Sequence, residues 1–363
     1  MKTDLLPRAA AFFIVLALAA FVPAVAAAQA GGAGGAITVE DAEGRTVRLP
    51  EVPSRIVLTG RANIMLVDAL YLFRNVSERV VAVGRTNQGI GDFFPVLDAA
   101  PEEKARLGRS AGAEEILAHD PDLVLLKSQM RDSVGRALET AGAVVLYLDL
   151  ETPEQYACDI RTLGAVLDQE QRAEEIVSLF DDRTRRLREQ LDGVGRPEVL
   201  VLSYARSGEA YSFRVSPDGW IQTEQVRLAG AEPVWMGAAG SPGWNRIEFE
   251  QIAAWDPEVI IFISYRTDAA EPLRRIRDNP LWAELQAVEN GEIYAMPADY
   301  CSWGQPDTRW ILGAEWMAAA LHGERFSEPF EARVRRFFSE FYGIGEAAYE
   351  REIAPRLSGD LLD

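Results

Sequence analysis

Residues 114–126 read EEILAHDPDLVLL, and residues 250–262 read EQIAAWDPEVIIF. In each, a Glu opens a short helical pattern, Ile and Ala supply its apolar side, an Asp-Pro step stops it, and an apolar strand follows. The two stretches stand 136 residues apart. That spacing far exceeds the ~20–50 residues of a solenoid repeat, so it predicts two similar α/β lobes that each use the unit once.

Around the first copy, a hairpin is expected over 37–49, turning at Glu43-Gly44. Short apolar strands are expected at 56–59, 80–83, 123–126 and 144–148, with helices at 62–73 and 133–140 between them. Strands alternating with helices predict a mainly parallel sheet covered on both faces. From 153 to 192 the strand pattern stops. Ile160, Leu163, Leu167, Ile176, Leu179, Phe180, Leu187 and Leu191 recur at helical spacing, interrupted only by Gly164 and the polar run 169–172. One helix of ~30 residues would span about 45 Å and join both lobes. The strand pattern resumes at 199–202 and returns at 259–263 and 293–296, with helices at 222–228, 310–321 and 326–342. The fold expected is α/β, with two similar Rossmann-like lobes of mainly parallel sheet joined by one long helix.

The ends frame this architecture. Residues 1–30 carry Lys2 and Arg8, an apolar run over 9–22 and the small-residue site Ala28-Gln29-Ala30, the pattern of a cleaved export signal. The apolar run is shorter than the roughly 20 residues that cross a bilayer comfortably. Residues 31–36 form a Gly/Ala linker, 37–152 the first lobe, 153–192 the inter-lobe helix, 193–345 the second lobe, and 346–363 a polar tail expected to fray. A soluble, exported, periplasmic monomer is the expectation. Its formal charge of −19 becomes −20 when Lys2, Arg8 and Asp4 leave with the signal. So acidic a chain excludes nucleic acid and anionic lipid as partners. Cys158 and Cys301 lie in a helix and a distant loop, which argues against a disulfide, and two histidines are too few for a His-based metal site.

In these residues the chain resembles the periplasmic solute-binding proteins of ABC importers for iron–siderophores, haem and vitamin B12. The resemblance runs from Ile37 to about Phe326 and is carried by PSRIVLTGRANIMLVDAL (53–70), RVVAVG (79–84), AGAVVLYLD (141–149), both copies of the repeat, and NPLWAELQAVENGEIYAMP (279–297). It implies a receptor without chemistry or cofactor of its own, in which any metal arrives inside the bound chelate. It also implies that the Glu opening each repeat, Glu114 and Glu250, pairs with arginines of the transmembrane permease. Glu115 leaves the first position open by one residue.

Ligands of two-lobe α/β proteins sit beyond the carboxyl ends of the strands. The residues there are Arg61 and Asn63, Arg85 and Asn87, and Lys127 and Gln129 in the first lobe. The second lobe supplies Tyr204, Arg206, Tyr265, Arg266, Tyr300, Trp303 and Arg309. Basic residues after five strands of an acidic chain predict a positive groove in a negative shell. Arginine forks hold carboxylates and other oxyanions in fixed orientation, and Trp220, Trp235, Trp244 and Trp303 offer flat apolar surface for an organic scaffold. Trp282 and Trp316 are expected in the core. The segment from Tyr300 to Arg309 is longer than its counterpart in the resembled family and is expected to reach over the groove.

An iron–siderophore or related metal chelate is therefore the leading ligand, with cobalamin next. Haem is disfavoured because no His falls at a strand end. An oxyanion such as molybdate is a further alternative. An exported α/β enzyme is the last, and neither a G-x-S-x-G elbow nor an H-E-x-x-H motif occurs to support it.

Overall fold

The structure is a computed structural model that describes residues 35–85, 89–207, 210–238, 240, 243–277 and 279–360, with backbone only for 205–207, 210 and 277. The expected signal, most of the linker and Asn87 lie outside the described residues. A hairpin of β1 (Ile37–Glu40) and β2 (Thr46–Leu49) opens the fold, and Gly44 takes φ 68° at its turn.

The first sheet contains β3 (Ile56–Leu58), β4 (Val80–Gly84), β5 (Ala105–Leu107), β6 (Leu123–Lys127) and β7 (Val145–Leu148) in the order β5-β4-β3-β6-β7. Every pairing in it is parallel. Side chains alternate across it. Ile56, Leu58, Leu123, Leu125, Leu146 and Leu148 enter the large core, whereas Val57, Val124, Leu126, Val145 and Tyr147 enter a separate smaller one. Burial on both faces explains why these strands read as unbroken apolar runs.

The second sheet contains β8 (Glu198–Ser207), β9 (Ala210–Val215), β10 (Glu232–Pro233), β11 (Asn245–Ile247), β12 (Val259–Ile263) and β13 (Ile293–Ala295). Its path is β11-β9-β8-β12-β13, with β10 pairing β8. The repeat strands β6 and β12 therefore occupy the same place, fourth along each five-strand path. The sheets differ on the other side of the centre. There β9 runs antiparallel to β8, and β11 antiparallel to β9, so only the first sheet is wholly parallel.

The helices used below are α1 (Asn63–Leu70), α2 (Ala113–Leu117), α3 (Pro153–Leu167), α4 (Glu170–Gln190), α5 (Ile221–Leu228), α6 (Phe249–Trp255), α7 (Trp310–Leu321) and α8 (Phe330–Tyr342). The expected single helix over 153–192 is instead an antiparallel pair. Asp168 takes the left-handed conformation (φ 57°) and ends α3, and Gln169 N–H bonds back to Gly164 C=O at 2.8 Å. The chain then reverses. Arg161 meets Glu174 at 2.7 Å and Tyr156 meets Phe180 at 5.0 Å between rings, separations that a continuous helix forbids. Thus α4 alone, 21 residues long, is the connecting rod.

The expected fraying tail is also corrected. Tyr349 and Ile353 are buried, and Ser358 exchanges backbone hydrogen bonds with Ala298 at 2.9 and 3.1 Å. The C-terminus is thereby an added edge of the second lobe. Among the described residues, no helix is long and apolar enough to cross a membrane.

Candidate functional site

At the carboxyl edge of the first sheet, β3 and β4 are neighbours, so Arg61 and Arg85 stand side by side in the topology. Both are exposed, and neither has a carboxylate partner among the described residues. Arg61 uses only its backbone N–H, on Met130 Sδ at 3.4 Å. Across the crevice, Tyr265 and Arg266 follow the end of β12, and Arg266 is exposed and likewise without a carboxylate partner among the described residues. The two edges touch. Gly89 N–H donates to Tyr265 C=O at 2.6 Å and Ile90 N–H to Tyr300 C=O at 2.8 Å, which draws the loop after β4 onto the second lobe.

An aromatic ladder stands on the second-lobe side. Trp220 and Trp244 meet edge to face at 5.8 Å, and Trp244 meets Tyr265 at 5.9 Å. All three rings are half-buried. The Tyr265 hydroxyl donates to Gly304 C=O at 3.2 Å and accepts from Gln222 Nε2 at 3.1 Å. Burial raises the pKa of this phenol and keeps it protonated. Gln222 went unread in the sequence, where it looked like an ordinary helical position. Its place in the first turn of α5, two residues after Trp220, was the available signal.

Several expected ligand contacts are corrected by the structure. Arg309 has no exposed surface; its Nη1 donates to Asp68 Oδ2 at 2.6 Å and its Nε to Asp299 Oδ2 at 2.7 Å. Phe93 caps the guanidinium at 4.4 Å. Because Asp68 belongs to α1, Arg309 clamps the two lobes together and does not reach solvent. Burial raises the Asp68 pKa to about 6 against the opposing attraction of Arg309. Trp303 is also fully buried and donates to Asp299 Oδ2 at 3.0 Å. Trp235 is buried as well, donating to Ser216 C=O at 3.1 Å.

The segment from Tyr300 to Arg309 therefore fills the space between the lobes and does not arch over the groove. Tyr300 gives its hydroxyl to Glu352 C=O at 3.0 Å. Tyr204 gives its own to Asp268 C=O at 2.7 Å, bracing the loop after β12. Lys127 stands at the end of β6 as expected, but it is 1% exposed and paired with Glu151 at 2.8 Å. The side chain of Arg206 lies outside the described residues.

The two repeat glutamates are exposed, each in the first turn of its helix, Glu114 in α2 and Glu250 in α6. Neither has a partner among the described residues. Glu115, by contrast, accepts the Gly108 N–H at 3.1 Å. Among the described residues, no group of three His, Cys, Asp or Glu side chains is placed to hold a metal ion. Cys158 and Cys301 are both free.

Known proteins share this architecture. The molybdate-binding protein MolA of Haemophilus influenzae is 21% identical over 329 residues, covering 84% of this chain and 90% of that protein. The Fe(3+)-citrate-binding protein YfmC of Bacillus subtilis is 22% identical over 268 residues, covering 73% and 79%. The solved ABC transporter solute-binding protein of Sulfurospirillum deleyianum superposes with a TM-score of 0.68 at 24% identity, over 87% of this chain and 98% of its own. Residues 69–300, well over half of the chain, match the periplasmic binding protein family, and the chain belongs to that family.

Proposed function

We propose that this protein is the periplasmic receptor of an ABC importer and that it carries an anionic, oxygen-rich metal chelate, such as a ferric siderophore or ferric citrate, in the inter-lobe groove. The observation that carries this reading is the Trp220–Trp244–Tyr265 ladder, which ends next to Arg266, exposed and without a carboxylate partner among the described residues. Aromatic faces give an organic scaffold apolar contact, while arginine forks take its outward oxygens. Arg61 and Arg85 supply matching charge from the first lobe. Glu114 and Glu250 are read as the two contacts with permease arginines, one on each lobe. Two such carboxylates, one on each lobe, define an orientation.

A bare oxyanion is the second reading, favoured by the likeness to a molybdate-binding protein over 84% of the chain. Such a ligand needs the arginines but leaves the aromatic ladder without a task. Titration of the purified protein with ferric enterobactin, ferric citrate, cobalamin and molybdate, followed by tryptophan fluorescence and calorimetry, decides between them. A ferric chelate is expected to quench Trp220 and Trp244 and to bind at least tenfold tighter than molybdate. Tight molybdate binding that Trp244→Ala leaves unchanged would replace the chelate with an oxyanion.

A further inference from the structure

A cavity of about 210 Å³ lies between α4, α7 and α8 and shares no residue with the inter-lobe groove. At ~30 Å³ per water it has room for a small solute. Its walls are mostly charged. Arg183 of α4 is only 6% exposed and is fixed from three directions: by Glu315 of α7 at 3.0 Å, by Glu340 of α8 at 3.0 Å, and by the rings of Phe337 and Phe341 at 5.5 and 5.9 Å. The third carboxylate, Glu328, accepts from Arg336 at 2.6 Å. All three glutamates of the lining are thereby engaged.

Its donors are not all engaged. Arg333 meets Glu328 through its buried Nε, which stands 3.7 Å from Glu328 Oε2, an ion pair too long to be a hydrogen bond. Arg186 and Gln190 also line the cavity, and neither has a partner among the described residues. Four arginines against three glutamates leave one surplus positive charge, in a chain whose formal charge is −19. An excess of N–H groups over acceptors, on walls held rigid by packed rings, calls for an occupant that only accepts.

We propose that this cavity is a second binding site, for a small oxyanion or short carboxylate, independent of the transported ligand. Its oxygens take the Nε of Arg333, the fork of Arg186 and the amide of Gln190. The exposed position of Arg186 leaves an entrance. Because α4 is the connecting rod, an anion here ties the rod to helix α8.

The test is thermal unfolding and calorimetry of the full mature chain with inorganic phosphate and, separately, with succinate, each against sodium chloride at equal ionic strength. One or both anions are expected to raise Tm in proportion to the logarithm of concentration, and the arm that responds more identifies the oxyanion or the carboxylate as the preferred chemistry. Arg186→Gln and Arg333→Gln should each weaken binding on the order of tenfold. Arg333→Lys keeps the charge without the fork and should weaken it as well. The groove variant Arg61→Gln/Arg85→Gln should bind the probe as the parent does. No stabilisation beyond chloride by either anion overturns the proposal, as does binding that survives both cavity substitutions.

Discussion

Asp159 is a buried carboxylate whose environment works both ways. One oxygen accepts the N–H groups of Asp149 and Leu150, each at 2.8 Å, yet burial outweighs them and raises its pKa to about 7. With the folded value above the ordinary aspartate value of 3.8, the native state holds the extra proton between these limits. Its contribution to stability is therefore complete below pH ~4 and is lost as pH rises through about 7. Asp159→Asn keeps the accepting oxygen and removes the ionisation. Urea unfolding should show the variant equal to the parent at pH 4 and more stable at pH 8, by on the order of 2 kcal/mol. Parallel pH profiles would show that Asp159 stays ionised throughout. A second residue acts purely by shape: a Cβ on Gly164 would lie 2.5 Å from that of Ala173. Gly164→Val should destabilise the chain by about 1–3 kcal/mol, read as a lower urea midpoint with unchanged slope.

At the scale of elements, the repeated unit is reproduced down to its backbone. Asp120 and Asp256 both take positive φ, 48° and 40°, immediately before their prolines, and each hands the chain to the fourth strand of its path. The unit was legible because its signals are local: apolar spacing, an Asp that tolerates the left-handed region, and a proline that ends the helix. Strand β9 was missed although 210–215 alternates, since a βαβ rhythm leads one to expect a helix after β8, and a hairpin needs only a short loop. The helix break at Asp168 was missed for a related reason. Apolar spacing resumed beyond the polar run 169–172, and only the packing of α3 on α4 reveals the reversal. The unit also presents Glu114 and Glu250 at matching helix starts, and Glu115 is already engaged with Gly108. The double variant Glu114→Ala/Glu250→Ala should abolish ligand uptake by the reconstituted importer while ligand affinity stays unchanged. Normal uptake would remove the docking role.

At the scale of the molecule, the lobes are held by more than the rod. Arg309 joins Asp68 to Asp299, Tyr156 shares a hydrogen bond of 2.8 Å with Thr308, and Ile221 N–H reaches Glu151 C=O at 3.1 Å. One continuous core runs through both lobes. Arg309→Met should cost about 3–5 kcal/mol, because it strands two buried carboxylates, and should be seen as a large fall in Tm. Breaking so many contacts to swing a lobe is equally unfavourable, so closure on ligand should be small. Scattering curves with and without a bound chelate should nearly superimpose, and a large fall in radius of gyration would contradict the braced geometry.

By itself the sequence determined the duplicated unit, the parallel strands of the first sheet and the acidic character. Those properties rest on local periodicity and composition, which no distant contact can reverse. Only the tertiary structure decided which polar side chains are available. Arg61, Arg266 and Arg309 all follow strands and look alike in the chain, yet the first two remain exposed while the third is enclosed by Asp68 and Asp299. The reason is physical: whether an arginine meets a ligand or a buried carboxylate depends on a partner as much as 241 residues away, and no local pattern records that pairing.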